Sequence, residues 1–298
     1  MELSITSGKL TVGLTTKGGT LISIKAGGLE YLWQGDPTVW SGQAPICFPI
    51  CGSLRNNTAT TLDGDTINLP RHGFARKQEF TLIDQTKDSA TFALATTPIL
   101  KEQYPFDFEF RSHYQIADAT LTVTFEVINH GNKDLPFYIG GHPAFRCPLE
   151  IGKSYYDYQV TFEKEEPQSV PTPLAESGLI DVDRRMVAPQ NNVTSPRKGR
   201  VVALSHELFA KAETIYDTLN SRQLEYSDKQ HTHGIHLSFP EFPYLIIWSK
   251  PQADFVALEP WGGLSTCSDE DNVFEHKRGC LIAPPNESIS RSFTINVF

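Results

Sequence analysis

Glu259 is an acidic residue at a position where the sequence pattern calls for an apolar one. It follows the apolar run Phe255–Leu258 and precedes the sequence PWGG. A carboxylate at the end of a buried strand must form an ion pair, make hydrogen bonds or face a cleft. The indole of Trp261 beside it has a flat apolar face with one polar edge. The segment is therefore either part of a ligand cleft or a solvent-exposed strand end beside a core tryptophan.

His142 is a second residue whose surroundings could serve chemistry. It follows two glycines and precedes Pro143 at the end of the apolar run PFYI. Glycines let the backbone turn sharply, and a following proline restricts His142 to an extended conformation. Local sequence leaves two interpretations open: the imidazole is aimed into a site, or it caps a turn through its ring nitrogens.

Basic residues surround a third position, His72, just after a predicted hairpin. Arg71 and Arg76 stand beside it. Neighbouring cations disfavour a protonated imidazole, so we expect a neutral, hydrogen-bonding His72 near pH 7. Arg55 lies in a predicted turn among amides, where its guanidinium either binds a ligand or pairs with an acid.

Two groups of residues suggest a metal site, and their spacing argues against both. In the sequence HTHGIH, His231 and His233 would share one face of a strand while His236 points to the other, and no acid or cysteine completes the set. Cys47 and Cys51 have three residues between them and no second pair at zinc-ligand spacing. The chain also lacks a G-x-S-x-G elbow, a G-x-G-x-x-G fingerprint and a P-loop. We expect no metal.

The elements that must position these residues are strands. Three segments alternate apolar and polar residues with a period of two: Phe108–Gln115, Thr120–Ile128 and Ile289–Val297. This pattern is typical of half-buried antiparallel strands. Shorter runs of the same kind are Thr20–Lys25, Thr81–Asp84, Ala90–Ala95, Gly234–Phe239 and Phe255–Leu258. Between Thr60 and Leu69, the pair Asp63-Gly64 predicts a hairpin with a type I′ turn.

Helical periodicity is nearly absent. Only Ile99–Gln103 and Glu207–Glu213 could form short connecting helices. Many short strands with Gly/Pro turns and no βαβ rhythm indicate an all-β sandwich or barrel. Glu163–Arg200, rich in proline, charge and asparagine, is predicted to be the least structured stretch. Because similar strand patterns stand on both sides, we interpret it as an excursion within one domain of residues 1–298, and not as a linker.

Composition excludes several classes of protein. Hydrophobic residues make up 39% and charged residues 20%, which excludes a disordered chain. A formal net charge of −9 without a dense Lys/Arg run argues against nucleic acid or a membrane surface as partner. Met1–Leu10 has no secretory-signal character, and the most apolar run, Tyr244–Trp248, is too short to span a bilayer. Five scattered cysteines indicate free thiols, so we expect a cytoplasmic protein.

Four motifs in this order carry a family resemblance: GSLRNN at Gly52–Asn57, HGFAR at His72–Arg76, GGHPAF at Gly140–Phe145 and LEPWGG at Leu258–Gly263. Together they resemble the aldose 1-epimerase (galactose mutarotase-like) family, and most closely its bacterial LacX-like branch, over nearly the whole chain. The resemblance implies a large antiparallel β-supersandwich, in agreement with the strand pattern. It also implies an isomerase that interconverts the α and β anomers of a hexose.

The resemblance further implies a role for each matching residue. Glu259 would be the general base that takes the proton of the anomeric hydroxyl, and His142 the general acid that protonates the ring oxygen. The ring would open and reclose on the other face. His72 and Arg55 would hold sugar hydroxyls and the ring oxygen. An ionised Glu259 nearby would raise the pKa of His142 and keep it charged.

The remaining substrate contacts follow from the resemblance with less detail. Arg76 and Trp261 would also bind the sugar. The substrate-binding aspartate of the family matches only loosely, to Glu213 or Asp217, and we take Asp217 as the predicted contact. No cofactor or metal enters this chemistry. The expected partner is a small-molecule sugar or sugar phosphate, bound by a monomer or homodimer.

Three alternatives stay open. A hexose-6-phosphate 1-epimerase would need at least two of Arg55, Arg71 and Arg76 to converge on one phosphate. A non-catalytic carbohydrate-binding sandwich would use Trp261 and other aromatic residues as a platform, but it does not explain a glutamate and two histidines in turn-held positions. A glycoside hydrolase needs two carboxylates that flank the bond, and only Glu259 stands out.

Overall fold

A computed structural model describes residues 1–192 and 199–298 of the chain, and most of the regular structure in these ranges is β-strand. In chain order the strands are β1 (Glu2–Ser7), β2 (Leu10–Thr15), β3 (Thr20–Ala26), β4 (Leu29–Glu30), β5 (Ile46–Cys47), β6 (Thr58–Thr60), β7 (Thr66–Asn68), β8 (Thr81–Gln85), β9 (Ser89–Ala95), β10 (Phe108–Ala117), β11 (Thr120–Asn129), β12 (Leu135–Phe137), β13 (Gly140–Gly141), β14 (Ala144–Arg146), β15 (Tyr158–Phe162), β16 (Ser169–Leu174), β17 (Leu179–Val187), β18 (Val201–Ala203), β19 (Thr214–Tyr216), β20 (Gln223–Asp228), β21 (Gly234–Ser238), β22 (Tyr244–Trp248), β23 (Phe255–Trp261), β24 (Leu281–Ala283) and β25 (Ser288–Val297). The helices are short: α1 (Pro98–Gln103) and 3₁₀ turns at Arg55–Asn57, Ala75–Lys77, Tyr155–Asp157, Pro189–Asn192, His206–Phe209 and Phe274–His276.

The largest sheet has nine antiparallel strands in the order β18-β15-β20-β21-β25-β11-β10-β9-β8. Its three longest strands, β10, β11 and β25, lie side by side, with Phe110 opposite Val127 and Val127 opposite Ile289. Burial alternates along β10 and β11, because successive side chains of a strand point to opposite faces. The three half-buried antiparallel strands predicted from the period-two pattern are confirmed, as is the all-β fold class.

A second sheet positions the residues singled out from the sequence. Its strands run in the order β19-β22-β23-β13-β5, and β14 also pairs with β23. β23 is buried along its whole length, and Gly140 on β13 lies between Trp261 on β23 and Cys47 on β5. A Cβ added at Gly140 would approach Cys51 Sγ and Trp261 Cδ1 to 2.9 Å. The close approach of these three strands therefore needs glycine at this position.

The remaining strands form a four-stranded sheet, β1-β2-β3-β4, and the two-stranded sheets β12-β24, β16-β17 and β6-β7. The hairpin predicted between Thr60 and Leu69 is confirmed as β6-β7, but the predicted type I′ turn is wrong. Five residues connect the two strands, and Asp63 does not have the positive φ that a type I′ turn requires at both central residues. Gly64 at its tip has a φ of 88°, a conformation that favours glycine. Buried apolar residues from Ile5 to Val297 form one continuous cluster that includes residues of both large sheets.

Two predictions about the connections are wrong in part. The predicted helix at Glu207–Glu213 is only a 3₁₀ turn that ends at Phe209, because the chain must extend to enter β19 and pair with β22. Glu163–Arg200 contains the hairpin β16-β17, in which Pro171 is tolerated because the register shifts beside it. Residues 193–198 of this stretch lie outside the described residues.

The predicted helix at Ile99–Gln103 is confirmed as α1, whose N-cap Thr97 accepts from the backbone N–H of Leu100.

The three histidines of HTHGIH do not lie on one strand, so the strand-face argument against a metal is wrong. His231 lies in a turn with a φ of 57°, and β21 begins only after His233. Acids also lie beside them: His231 Nδ1 is 2.6 Å from a carboxylate oxygen of Glu225, and His233 contacts Glu150. Within residues 1–192 and 199–298, no group of three or more His, Cys, Asp or Glu side chains is arranged to hold a metal ion. No helix of the described chain is long and apolar enough to cross a membrane.

Candidate active site

A cavity of about 360 Å³ opens beside the second sheet and collects most of the residues predicted to do chemistry. Its volume is in the range of small-molecule sites. The lining residues are Trp40, Arg71, His72, Arg76, His142, Glu213, Ile246, Trp248, Glu259 and Trp261. Five of the seven predicted site residues therefore converge on one cavity, although they come from three separate motifs.

Glu259 and His142 meet at the floor of this cavity. Glu259 lies on β23 and His142 directly follows β13, and the two strands pair through Gly140 and Trp261. His142 Nε2 is 3.2 Å from Glu259 Oε2, and the side chains are only 9% and 2% exposed. The backbone N–H of His142 donates to Pro45 O at 3.1 Å, which fixes the turn that carries the imidazole.

Burial moves the two ionisation equilibria in opposite directions. Desolvation raises the pKa of Glu259 well above its usual range, and the nearby Cys47 and Glu213 add to this rise. Desolvation lowers the pKa of His142 to about 3, and the charges of Arg71 and Arg76 act in the same direction. In the ligand-free site the proton of the pair therefore resides on Glu259. The expectation that Glu259 keeps His142 charged is wrong, because desolvation outweighs the attraction.

Aromatic rings hold the His142 imidazole. Trp40 stacks on it with ring centroids 5.3 Å apart, and Trp248 meets it edge-on at 5.7 Å. His72 also meets His142 edge-on at 5.5 Å and contacts Trp261 at 5.3 Å. Such contacts restrict the ring to one orientation and leave flat apolar walls around the cavity.

Several buried polar atoms of the cavity make no hydrogen bond to the described residues. They include His142 Nδ1, Arg76 Nε and Glu259 Oε2, the last of which contacts His142 outside hydrogen-bond geometry. Unsatisfied buried polar atoms are rare in folded proteins and call for an explanation. A polar ligand that enters the cavity would satisfy them.

The turn that carries His72 has an unusual backbone. His72 has a φ of 63°, which is uncommon for a residue with a side chain, and its N–H donates to Gly52 O at 2.7 Å. Gly73 follows with a φ of 70°, and a Cβ there would collide with Phe48 O. A conformation that the surroundings impose on a non-glycine residue is frequent at functional sites.

Two arginines bring positive charge to the cavity. The guanidinium of Arg71 lies 3.3 Å from Glu213 Oε1, so this cation is neutralised by a neighbouring carboxylate. Arg76 donates to Arg71 O at 2.9 Å, and no carboxylate of the described chain pairs with it. Glu213 also gives the cavity a second carboxylate, and it is one of the two acids that the sequence left open.

Two predicted contacts lie outside the cavity lining. Arg55 donates to the carbonyls of Cys267 at 3.3 Å and Glu270 at 3.1 Å, and so stabilises a loop. Asp217 forms two hydrogen bonds of 2.8 Å with Arg185. Glu213 precedes the extended strand β19 and Asp217 follows it, so their positions differ by four steps of about 3.3 Å each along the strand. Of the two acids left open by the sequence, Glu213 is the one that lines the cavity.

Sequence reasoning missed Trp40, Trp248 and Ile246. The last two belong to the apolar run Tyr244–Trp248, which predicts only a buried strand. Their place in the site follows from the register, in which Ile246 lies opposite Glu259. Trp40 lies between strands in a segment without periodicity, so no local signal could have identified it.

Comparison with known proteins agrees with this geometry. Residues 1–288 match the sequence profile of the family described as aldose 1-epimerase. The chromosomal LacX protein of Lactococcus lactis subsp. lactis is 38% identical over 304 residues, which cover 100% of this chain and 99% of LacX. The plasmid form of LacX matches equally.

Two solved structures resemble the fold closely. A galactose mutarotase related enzyme from Lactobacillus acidophilus superposes with a TM-score of 0.90 at 28% identity, over 100% of this chain and 97% of that protein. A galactose mutarotase-like protein from Lactobacillus casei gives 0.89 at 26% identity, over 100% of both chains. The fold and the cavity thus define a galactose mutarotase-like β-sandwich protein with a buried carboxylate–imidazole pair. The chain belongs to the aldose 1-epimerase family, which is a family of isomerases, and to its LacX-like branch.

Proposed function

We propose that this protein is an aldose 1-epimerase that interconverts the α and β anomers of a hexose by acid–base ring opening, without a cofactor. The observation that carries the proposal is the pair of Glu259 and His142, 3.2 Å apart in a cavity of sugar-binding size. Their pKa values are pushed apart by burial, as is typical of acid–base partners.

The pair holds one proton, and the reaction needs one acid and one base. The reactive arrangement has ionised Glu259 and protonated His142, reached when the two side chains align and the proton passes from Glu259 Oε2 to His142 Nε2. Glu259 then takes the proton of the anomeric hydroxyl while His142 delivers its proton to the ring oxygen. The bond between C1 and the ring oxygen breaks, and the C1 carbonyl forms.

The second half of the reaction reverses these transfers. After rotation about C1–C2, the freed C5 hydroxyl attacks the other face of the carbonyl. His142 takes the proton of this hydroxyl and Glu259 returns its proton to the C1 oxygen. Both side chains regain their starting state, so no proton is gained or lost and no redox partner is needed.

The rest of the cavity supplies binding. Trp40, Trp248 and Trp261 offer flat walls for the C–H faces of a pyranose. His72 and Glu213 contact different nitrogens of Arg71 and can hold different hydroxyls of the sugar, which would distinguish one hexose from another. A well-aligned sugar in a cavity that excludes water makes each proton transfer effective.

Anomer-exchange NMR tests the proposal. Equilibrium mixtures of glucose and of galactose should exchange α and β signals faster with the protein than in matched buffer. Glu259→Gln should abolish most of this difference. Exchange at the buffer rate for every aldose tried, together with measurable sugar binding, would instead indicate a carbohydrate-binding protein.

A second candidate substrate class is a hexose 6-phosphate. Of the three arginines that the sequence offered for a phosphate, Arg71 and Arg76 both line the cavity. Arg71 is paired with Glu213, whereas Arg76 has no carboxylate partner among the described residues and its Nε makes no hydrogen bond there. With Glu259 protonated, the cavity carries excess positive charge, which favours an anionic substituent.

Comparison of glucose with glucose 6-phosphate separates the two substrate classes. If phosphate is recognised, Arg76→Gln should raise KM for glucose 6-phosphate by about tenfold or more, the effect of losing a hydrogen bond to a charged group. The same variant should change KM for glucose much less. Arg291→Gln, on an exposed arginine of β25 outside the cavity, serves as the matched control. Equal effects on both substrates would exclude phosphate recognition by Arg76.

A further inference from the structure

The imidazole of His72 faces hydrogen-bond donors on both of its ring nitrogens. The backbone N–H of Gly52 points at Nδ1 from 3.2 Å, and Cys47 Sγ lies 3.3 Å from the same atom. On the other side, Nε of Arg71 lies 3.2 Å from Nε2. Burial lowers the pKa of His72 well below its usual range, so the ring is neutral and has one N–H and one acceptor. It can accept from only one of these two sides.

The Nδ1 side is the fixed one. Gly52 has a φ of 71°, and a Cβ there would collide with Ser265 Oγ, so the turn is packed too tightly to move. The same turn is held from the other direction, because the N–H of His72 donates to Gly52 O at 2.7 Å. Arg71, by contrast, is 41% exposed and ends a flexible side chain. Because the backbone N–H of Gly52 is held in place, Nδ1 of His72 must be the acceptor. The proton of the neutral ring therefore lies on Nε2.

Cys47 supports the same arrangement. It lies on β5, fully buried, and its strand is held to Gly140 on β13. Burial raises the pKa of the Cys47 thiol well above its usual range, so the sulfur keeps its proton. A thiol is a weak donor, and here its S–H can point to Nδ1 beside the Gly52 N–H. The Gly52 N–H and the Cys47 S–H then both point to Nδ1, and packing holds both groups in place.

The consequence lies on the cavity side of the ring. If Nε2 carries a proton, the Nε–H of Arg71 faces another N–H across 3.2 Å, and neither donor has an acceptor in this contact. Two donors that converge without an acceptor are unfavourable until an oxygen atom enters between or beside them. Both side chains line the cavity. The contact between Arg71 Nε and His72 Nε2 is therefore suited to bind an oxygen atom of a ligand, which would accept from both N–H groups.

We propose that His72 Nε2–H and Arg71 Nε–H form a two-donor site for one acceptor oxygen of the substrate, and that Cys47 and Gly52 are positioning groups that fix the His72 tautomer. The proposal rests on the proposed function only for the identity of the ligand, an oxygen of an aldose. Arg71 shifts to admit this oxygen and keeps its contact with Glu213. Cys47 acts through His72 and does not touch the substrate.

The tautomer can be measured without any substrate. ¹⁵N-detected NMR of protein labelled at histidine, with the His72→Gln variant to assign the signal, should show a protonated Nε2 and an unprotonated Nδ1 in the ligand-free protein. The signal should keep this pattern when a sugar is added. A proton on Nδ1 would overturn the proposal. Because this result does not depend on turnover, it stands or falls separately from the epimerase assignment.

Variants of Cys47 test the positioning role. Cys47→Ala should increase the minor tautomer of His72 and raise KM by about 2- to 12-fold, the range expected for one hydrogen bond, with little change in kcat. Cys47→Ser keeps a donor in place and should restore both the tautomer and KM. Cys147→Ala removes an equally buried thiol that is bonded to Tyr155 O, and it should change neither. If Cys47→Ala alters only the melting temperature, the thiol has a packing role alone.

Analogues of the sugar test the two-donor site itself. Fluorine accepts weakly but cannot donate, so a deoxyfluoro sugar at the contacted position should bind better than the corresponding deoxy sugar in wild type. His72→Gln, whose side-chain amide can rotate to donate or accept, should reduce this preference. If the deoxy and deoxyfluoro analogues bind equally at every position, or if only a donating hydroxyl is recognised, His72 does not act as a donor. Binding is read by ligand-detected NMR, so the answer again does not require catalysis.

Discussion

His142 Nε2 lies 3.2 Å from Glu259 Oε2, because His142 directly follows β13 and β13 pairs with β23 at Gly140 and Trp261. Burial raises the pKa of Glu259 well above its usual range and lowers that of His142 to about 3, so the usual order of the two pKa values is reversed. Such a pair titrates as a unit, and its apparent pKa values belong to the pair rather than to either residue. The singly protonated pair, which the proposed reaction needs, exists between the lower and the higher of these values.

The pH dependence of anomer exchange follows from this order. Below a pKa of about 3, His142 gains a proton and the pair has no base, so kcat/KM should fall only in strong acid. On the alkaline side the rate should fall as protonated Glu259, whose pKa is raised, loses its proton. We expect nearly full kcat/KM at pH 4.5, with circular dichroism to verify that the protein stays folded. A fall in kcat/KM on the acid side centred near pH 4.5, the ordinary pKa of glutamate, would contradict the proposed order of the pKa values of Glu259 and His142.

Removal of the carboxylate should stop catalysis without unfolding the protein. Glu259→Gln preserves the shape of a side chain that is nearly fully buried, but it cannot take a proton. We expect kcat to fall by about 10²- to 10⁴-fold, with sugar binding retained. Glu225→Gln, on a glutamate that pairs with His231 outside the cavity, provides the control. Turnover of Glu259→Gln close to wild type would remove Glu259 from the mechanism.

The two acids at the ends of β19 should behave differently. Glu213→Gln removes the charge that faces Arg71 in the cavity, and KM should rise by about tenfold or more. Asp217→Asn breaks a partly exposed ion pair with Arg185, so stability should decrease by about 0.2–1 kcal/mol while KM and kcat stay unchanged. Steady-state kinetics and thermal melts of both variants decide the matter. A KM effect confined to Asp217→Asn would favour the acid first predicted from the sequence.

Metal removal should leave activity intact. The proposed proton transfers use only side chains of the protein, and the described residues contain no His/Cys/Asp/Glu group arranged as a metal site. Exchange rates before and after exhaustive dialysis against EDTA should therefore agree, with a known zinc enzyme treated in parallel to verify chelation. Loss of activity that returns with added zinc would show that a metal ion takes part.

The fold class and most of the residues of the candidate cavity could be predicted from the sequence alone. Alternation in the long strands is a local property, because the two faces of one strand already differ in polarity. The catalytic candidates were also visible locally: Glu259 interrupts an apolar strand, and His142 and His72 stand beside glycines that shape their turns. Order of motifs along the chain then sufficed to predict the family.

Which of these candidates meet, and how they ionise, depends on the packing of the folded chain. Glu213 and Asp217 flank β19 at its two ends and differ by an even number of residues, so the sequence could not tell which end of β19 faces the cavity. Trp40 enters the site from an aperiodic segment and stacks on His142. The pKa order of Glu259 and His142 depends on how completely the folded chain removes water from both groups, and desolvation is a property of the whole packed cavity that no single segment carries.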